Sequence, residues 1–455
     1  MSGVQTFFYS ALTYIIAISL LVAVHEYGHF WAARRVGIKV LRFSIGFGRV
    51  FWRRMGRDGT EYALSAIPLG GYVRLLDERD GNVSADDLKF AFNRQPVWKR
   101  IFVLFAGPAF NFLFAIVAYW ALLVAGVPGY KAVVGDVKAG SISAAADLRA
   151  GDEILSIAGA STPSREVVLG ALIQDLLDDG VVEMQVRGSD SRERAVKLQA
   201  QNRSRELTEP NALMSGLGFD FWYPREPAIL GTVTATGTAT QAGLRSGDKV
   251  LRFDEHTVAD FTALRTLIEP RMNKSVIVQV QRGDTILSLP LKVGVETTNG
   301  KSRGVIGVLP APLTIPDSMR TIERAGPIDA IGGAVQKTWT TTLLSFRLIG
   351  RLVTGDVSFK SISGPVGIAT VTGIAFRQGV IVFVSLLALI SISVGVLNLL
   401  PVPMLDGGQI VFQLVELVKG GPVSERAQIV FQQVGIMLLI LLTGLALYND
   451  IAQLS

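Results

Sequence analysis

Four stretches of this 455-residue chain are long and apolar enough to cross a bilayer, and nothing else in the sequence narrows the fold as much. They run from about Phe7 to Phe30, Ile101 to Val124, Val380 to Leu400 and Ile429 to Leu447. Hydrocarbon offers no partner for a backbone N–H or C=O, so each stretch is expected as a helix that bonds within itself. A fifth candidate, about Ala330 to Val353, carries Lys337, Arg347 and Arg351. Three cations at mid-bilayer depth are costly, and an amphipathic helix lying on the membrane surface accounts for them better. The composition agrees with a membrane part joined to a folded soluble part: 49% hydrophobic, 18% charged, mean hydropathy +0.40.

Charge asymmetry orients the spans. Residues 1–33 contain no Lys or Arg, and none follows Arg426. The loop 34–100 holds 14 Lys or Arg against 7 Asp or Glu. Positive charge stays inside, which puts that loop and the 401–428 loop in the cytoplasm, and residues 126–378 with both termini outside. The formal charge of +6 is thus read as topology. No zinc finger, RNA-binding motif or Arg-rich groove points to nucleic acid.

The outer segment contains a repeat. Ala146-Asp-Leu-Arg-Ala-Gly-Asp152-Glu-Ile-Leu-Ser-Ile157 returns as Ala242-Gly-Leu-Arg-Ser-Gly-Asp248-Lys-Val-Leu-Arg-Phe253. Each copy reads as a short helix, a Gly-Asp turn and an alternating strand. Both resemble PDZ domains, which bind extended peptides at a sheet edge. The expected units are residues 1–125, two PDZ-like domains at 126–222 and 226–311, an amphipathic helical region at 312–378, and residues 379–455.

Cys is absent, so a metal site here must use His and carboxylates. Of only three His, two stand in His25-Glu-Tyr-Gly-His29. On a helix, residues i and i+4 share a face, so both imidazoles reach one ion and Glu26 lies beside it as a general base. Ionisable groups closing an apolar span are expensive unless they serve chemistry. Catalytic zinc usually keeps three protein ligands plus water. His256 falls in the second PDZ-like domain, across the membrane, and reads as a surface histidine. The third ligand is expected to be Asp406, in Asn398-Leu-Leu-Pro-Val-Pro-Met-Leu-Asp406-Gly-Gly408. The first and third spans run the same way, which brings Asp406 to the depth of His25 and His29. Hard donors leave zinc, cobalt and manganese open, with zinc the commonest.

His-Glu-x-x-His in the first span, Asn-x-x-Pro-x-Pro-x-Leu-Asp-Gly in the third and tandem PDZ-like domains resemble the site-2 protease family. Further phrases agree: Phe43-Ser-Ile-Gly-Phe-Gly48, Ile67-Pro-Leu-Gly-Gly-Tyr72, Gly107-Pro-Ala-Phe-Asn111, Ser363-Gly-Pro-Val-Gly367 and Gly421-Pro-Val-Ser-Glu-Arg426. Gln409 departs from the pattern, standing where His commonly follows Asp-Gly-Gly. The resemblance implies a zinc-dependent intramembrane endoprotease of the bacterial inner membrane. Its expected substrates are single-span proteins already trimmed by another protease, such as an anti-sigma factor of the envelope stress response or a signal-peptide remnant. The PDZ pair would exclude bulky substrates. Asn398 would contact substrate backbone, and residues 59–76, with Gly70 and Gly71, would form a membrane-dipping β-hairpin that holds the substrate as a strand. Two plainer readings stay open: an ordinary cytoplasmic hairpin, and an Asn398 that bonds only a neighbouring helix. The competing function is a membrane-anchored PDZ scaffold or chaperone with a vestigial metal site.

The expected fold is a polytopic α-helical membrane protein with four transmembrane helices, two extracytoplasmic PDZ-like α+β domains and a cytoplasmic membrane-associated β-hairpin. Oligomeric state is not legible in the sequence.

Overall fold

The computed structural model describes residues 3–81, 83–209, 211–224, 226–298, 301–313, 315–421 and 423–454; Pro422 of the Gly421–Arg426 phrase lies outside them, as do both chain ends. Four helices among the described residues are long and apolar enough to span a membrane. The first, α1 (Gly3–Arg35), ends on Arg34 and Arg35. Arg34 sits over the Phe30 ring and pairs with Asp58, so the basic end of the helix is anchored to the turn around Asp58. Along α1, Leu12, Ile16 and Leu20 are exposed while Ala17 and Leu21 are buried. That reversal of the soluble pattern suits a helix with lipid on one side and neighbouring helices on the other.

Strands β1 (Val40–Met55) and β2 (Glu61–Leu75) form a bent ribbon. Residues 61–65 lie between 50–55 and 40–45, and residues 71–75 take the other side of 40–45. Gly46 and Gly48, both with φ above +80°, supply left-handed backbone near the bend. A hairpin confined to Gly59–Leu76 was expected; the structure instead makes those residues a turn and one strand, with β1 as the shared partner. The reason is energetic: an isolated two-stranded ribbon is marginal, and pairing both halves of β2 with β1 gives each a ladder. The ribbon reaches into the depth of α1, where the Ser19 hydroxyl donates to the Pro68 carbonyl. The ribbon exposes Phe51, Trp52, Leu64 and Ile67.

Helix α2 (Val97–Ala125) is the organising element, packing on α1 through small residues. Gly28 of α1 rests against the Ala106 backbone, and a Cβ there would collide with it. After α2, Val127–Tyr130 pairs with Arg320–Glu323, forming a two-stranded stalk. Residues between those strands build two units of the same plan. The first has a sheet ordered 160–161, 153–157, 181–187, 193–199 with helix α3 (Arg165–Asp178). The second has 256–257, 249–253, 275–282, 285–292 with helix α4 (Phe261–Ile268). Each closes its own apolar core. Asp152 and Asp248 are both buried, and each accepts the N–H three residues before it, from Arg149 and Arg245. Arg194 and Arg282 complete the two sites.

Of the segment 312–378, residues 317–319 form one 3-10 turn, residues 320–323 are stalk strand and the α-helices begin at Asp329. Helix α5 (Asp329–Thr354) buries Ala330, Ala334 and Thr338 and exposes Ile331, Val335 and Trp339. It is not among the helices apolar enough to rank with the spans. Helix α6 (Pro365–Gln378) is capped at a distance: Asp450 accepts the N–H groups of Gly364, Val366 and Gly367 at 2.8, 2.9 and 3.0 Å. That carboxylate occupies the space a Cβ would need at Gly364 and Gly367. Spanning helix α7 (Val380–Leu399) leads through a Pro-rich turn to α8 (Asp406–Lys419), and α9 (Glu425–Leu454) is the last span.

Candidate metal centre

Helix periodicity puts His25 and His29 on one face of α1, with their Nε2 atoms 3.1 Å apart. The turn after α7 brings Asp406 to them at the start of α8. Gly407 and Gly408 make the approach possible, since a Cβ on either would collide with the backbone of Leu399 or Val402. Asp406 Oδ2 lies 3.1 Å from His25 Nε2, and Oδ1 lies 3.5 Å from His29 Nε2. Bonds of 2.0–2.1 Å in a tetrahedral site set ligand atoms about 3.4 Å apart. The three side chains are only 9%, 12% and 17% exposed.

Two observations fit this trio to holding a cation. Asp406 Oδ2 is buried without a hydrogen-bond donor, a costly state for a carboxylate oxygen unless a cation meets it. His29 Nδ1–H donates to the Val103 carbonyl at 2.8 Å, which leaves Nε2 as the free lone pair. Two imidazoles and a carboxylate suit zinc. Among the described residues this is the one group of three or more His or carboxylate side chains so arranged.

Helix α2 forms the far wall. At Gly107 a Cβ would run into His29 Nε2 and come within 2.8 Å of His25 Nε2, so only glycine leaves room for an ion. Asn111 is fully buried with its amide Nδ2 3.1 Å from His25 Nδ1, a geometry that turning the amide over makes Oδ1 to Nδ1–H, and its own backbone carbonyl accepts from Ser391 of α7. Deeper on α8, Glu416 is gripped by Arg100 of α2.

Glu26 does not touch the ligand atoms. Its Oε2 accepts the backbone N–H of Val73 in β2 at 3.0 Å. A cleft of about 380 Å³ opens beside it, with His25, His29 and Asp406 at one end. Tyr72, Val73 and Leu75 of β2 line this cleft, as do Asn398 and Met404 from the end of α7 and the turn after it. Gly71 backs onto Glu26 and Gly70 onto the Phe47 ring; neither lines the cleft. Gln409 points its amide at the Pro403 carbonyl, and His256 is exposed in the second of the two units with their own cores. An apolar groove of about 450 Å³ between α1 and α2 is lined by no carboxylate, imidazole or amine, Tyr27 being its one polar side chain.

Sequence reading missed Asn111, Arg100 and Val73 as parts of this site. A polar side chain inside an apolar span was the available signal for Asn111. The Arg100–Glu416 pair and the Val73 amide had none.

The chain matches the model of peptidase family M50 over residues 13–442. It is 39% identical over 450 residues to "Regulator of sigma-E protease RseP" of Escherichia coli, covering 99% of this chain and 100% of that protein. It is 40% identical over 443 residues to "Regulator of sigma E protease" of Salmonella typhi, covering 97% and 98%. A "Putative zinc metalloprotease" of Vibrio cholerae is 39% identical over 447 residues, covering 97% and 98%. With these similarities running nearly end to end over a chain that carries a zinc-type donor set, the protein belongs to peptidase family M50, the site-2 type of zinc-dependent membrane protease.

Proposed function

We propose that His25, His29 and Asp406 hold the single zinc ion of this intramembrane endoprotease, with Glu26 as general base. The observation that carries the reading is the convergence of ligand atoms from α1 and α8, all within 4.8 Å of one another. Zinc, when bound, supplies Lewis-acid chemistry, lowering the pKa of a water to about 7 and polarising a carbonyl. Glu26 takes the proton from the attacking water and passes it to the leaving amide nitrogen as the C–N bond breaks. His29 is held in the right tautomer by the Val103 carbonyl. Asn111 does the same for His25 when its Oδ1 faces Nδ1–H, which gives that buried, otherwise unpartnered oxygen a donor.

A transmembrane helix hides its carbonyls in its own hydrogen bonds, so the substrate unwinds before hydrolysis. Unwound backbone in a bilayer needs partners, and the cleft edge of β2 provides them by strand addition. Asn398, which lines the same cleft, bonds the substrate backbone as well. Gly70 and Gly71 shape the ribbon that carries this edge.

The two outer units are PDZ-like domains outside the cytoplasmic membrane, as are both chain ends, with the ribbon and α8 inside. Their shared strand order and paired buried Asp–Arg sites support that reading, and the cation-rich 34–100 loop supports the topology. The relatives' names point to sigma-E regulation. In that setting a trimmed anti-sigma factor of the envelope stress response is the substrate of this reading, with signal-peptide remnants as a second class. The PDZ pair then works as a size gate. A scaffold with a dead site is not favoured, because the ligand atoms converge as a working site needs.

The test is to incubate the purified protein with a single-span substrate, before and after removal of its outer domain, and to weigh the products. A cut inside the transmembrane segment of the trimmed form alone is expected. Cuts outside that segment would overturn the reading.

A further inference from the structure

The Glu26 carboxylate is tied to a strand edge. Leu76 N–H donates to Lys39, on the β1 side of the ribbon, at 2.9 Å. Alternation then turns the N–H and C=O groups of Val73 the other way, toward the cleft. The Val73 N–H finds Glu26 Oε2 there at 3.0 Å. β2 pairs with no strand but β1, so this edge has no other ladder among the described residues. Val73 also lines the cleft that holds His25, His29 and Asp406. One backbone donor therefore lies within reach of two acceptors, the general base and any strand laid along the edge.

We propose that substrate docking and release of the base are one event: a substrate carbonyl takes over the Val73 N–H and frees Glu26 from the strand. This rests on the strand-addition reading above and deepens it. Before docking, the carboxylate is held against β2. On docking, one hydrogen bond is exchanged for another, so the swap costs little, and the carboxylate turns toward the attacking water only when an extended backbone occupies the cleft. Carbonyls that reach the site without forming a strand meet a base still tethered. Val73 is in this account a positioning residue that acts through Glu26, and the selection is for conformation more than for sequence.

Competition for one donor has a measurable signature. Glu26→Ala offers Val73 no acceptor, whereas Glu26→Gln keeps an amide oxygen, and neither turns substrate over. The probe is a fluorescent synthetic single-span peptide rich in Val, Ile and Thr, its binding to detergent-solubilised, zinc-loaded protein read by anisotropy. Glu26→Ala is expected to bind about fivefold tighter than Glu26→Gln, the worth of one neutral hydrogen bond. Val73→Pro removes the N–H at an edge position where proline is tolerated. Added to both variants, it is expected to weaken binding in each and to erase the difference between them, a closed double-mutant cycle. Zinc content and melting temperature, unchanged across the set, certify folding. Equal binding by the Ala and Gln variants, with Val73→Pro weakening both alike, overturns the coupling and leaves strand docking standing. If Val73→Pro leaves binding unchanged in the Glu26→Ala protein, strand addition at this edge is itself wrong, and the proposal falls with it.

Discussion

Arg100 and Glu416, 316 residues apart in sequence, meet as a two-pronged ion pair, Nη1 to Oε2 at 3.0 Å and Nη2 to Oε1 at 2.5 Å. Arg100 is buried in α2, and Glu416 lies on the helix whose first residue is Asp406. The clamp therefore fixes where α8 sits against α2, and with it where Asp406 meets the histidines. Arg100→Leu strands a part-buried carboxylate and is expected to cost about 2 kcal/mol. Zinc affinity, by chelator competition, is expected to fall about tenfold as Asp406 shifts. Arg100→Leu with Glu416→Leu should recover most of the melting temperature. A single variant that melts and binds zinc like the parent would remove the clamp from the account.

Asn111 is predicted to matter through His25 alone. Asn111→Leu keeps the volume and loses the acceptor, so zinc affinity should drop about 10- to 100-fold, the usual range for the partner of a ligating histidine. Asn111→Asp keeps an acceptor and should hold zinc near the parent level. Equal affinity in the Leu variant would show that His25 needs no such partner.

The spans, the His25–His29 pair and Asp406 were legible because each has a local signature. Twenty-odd apolar residues mean a span, i and i+4 share a helix face, and a Pro-broken end before Asp-Gly-Gly marks a turn. The repeat at 146 and 242 was legible because each Gly-Asp turn is a local necessity, with Asp152 and Asp248 filling the same role. What stayed hidden depends on which surfaces meet. Nothing near Gly364 or Gly367 says that Asp450 will occupy the space beside them. Nothing near Gly59 says that residues 61–65 will pair with both arms of β1. Such pairings are tertiary, and their partners lie far away in sequence.

The stalk makes a clean excision of the outer units possible. Tyr130 pairs with Arg320 at its far end, so residues 132–318 can be replaced by a short Gly turn without cutting the ladder. Every proposed zinc ligand lies outside that segment. The excised protein should cleave intact and trimmed single-span substrates at similar initial rates, while the full chain cleaves only the trimmed one. Slower cleavage of trimmed substrate after excision would identify the outer units as recruiters instead of a gate.

Asp175 on α3 gives the first outer unit a pH dependence. Burial, with the carboxylates of Asp178, Asp179 and Glu183 nearby, pushes its pKa up to about 6 from 3.8. The folded state thus holds this proton more tightly than the unfolded chain. Its stabilising effect is full below about pH 4 and is lost as pH rises through about 6. Asp175 keeps a face to water, so Asp175→Asn should stabilise the unit by about 1 kcal/mol near neutral pH and by almost nothing at pH 4. Because the chain has no Cys, a Leu172→Cys thiol at a buried α3 position reports opening of this unit alone. Equal thiol protection with Asp or Asn at 175 near pH 7.5 would contradict the assignment.

The central claim is that hydrolysis is done by zinc held on His25, His29 and Asp406, with Glu26 as base. The direct measurement is cleavage of a trimmed single-span substrate by purified protein that is stripped with a chelator and then titrated with zinc. The parent should lose all activity on stripping and regain it at one zinc per chain. Asp406→Asn should need far more zinc, and Glu26→Gln should bind one zinc per chain yet remain at least about a hundredfold slower. Cleavage that persists in the stripped parent, or a Glu26→Gln variant that turns over like the parent, would contradict the account.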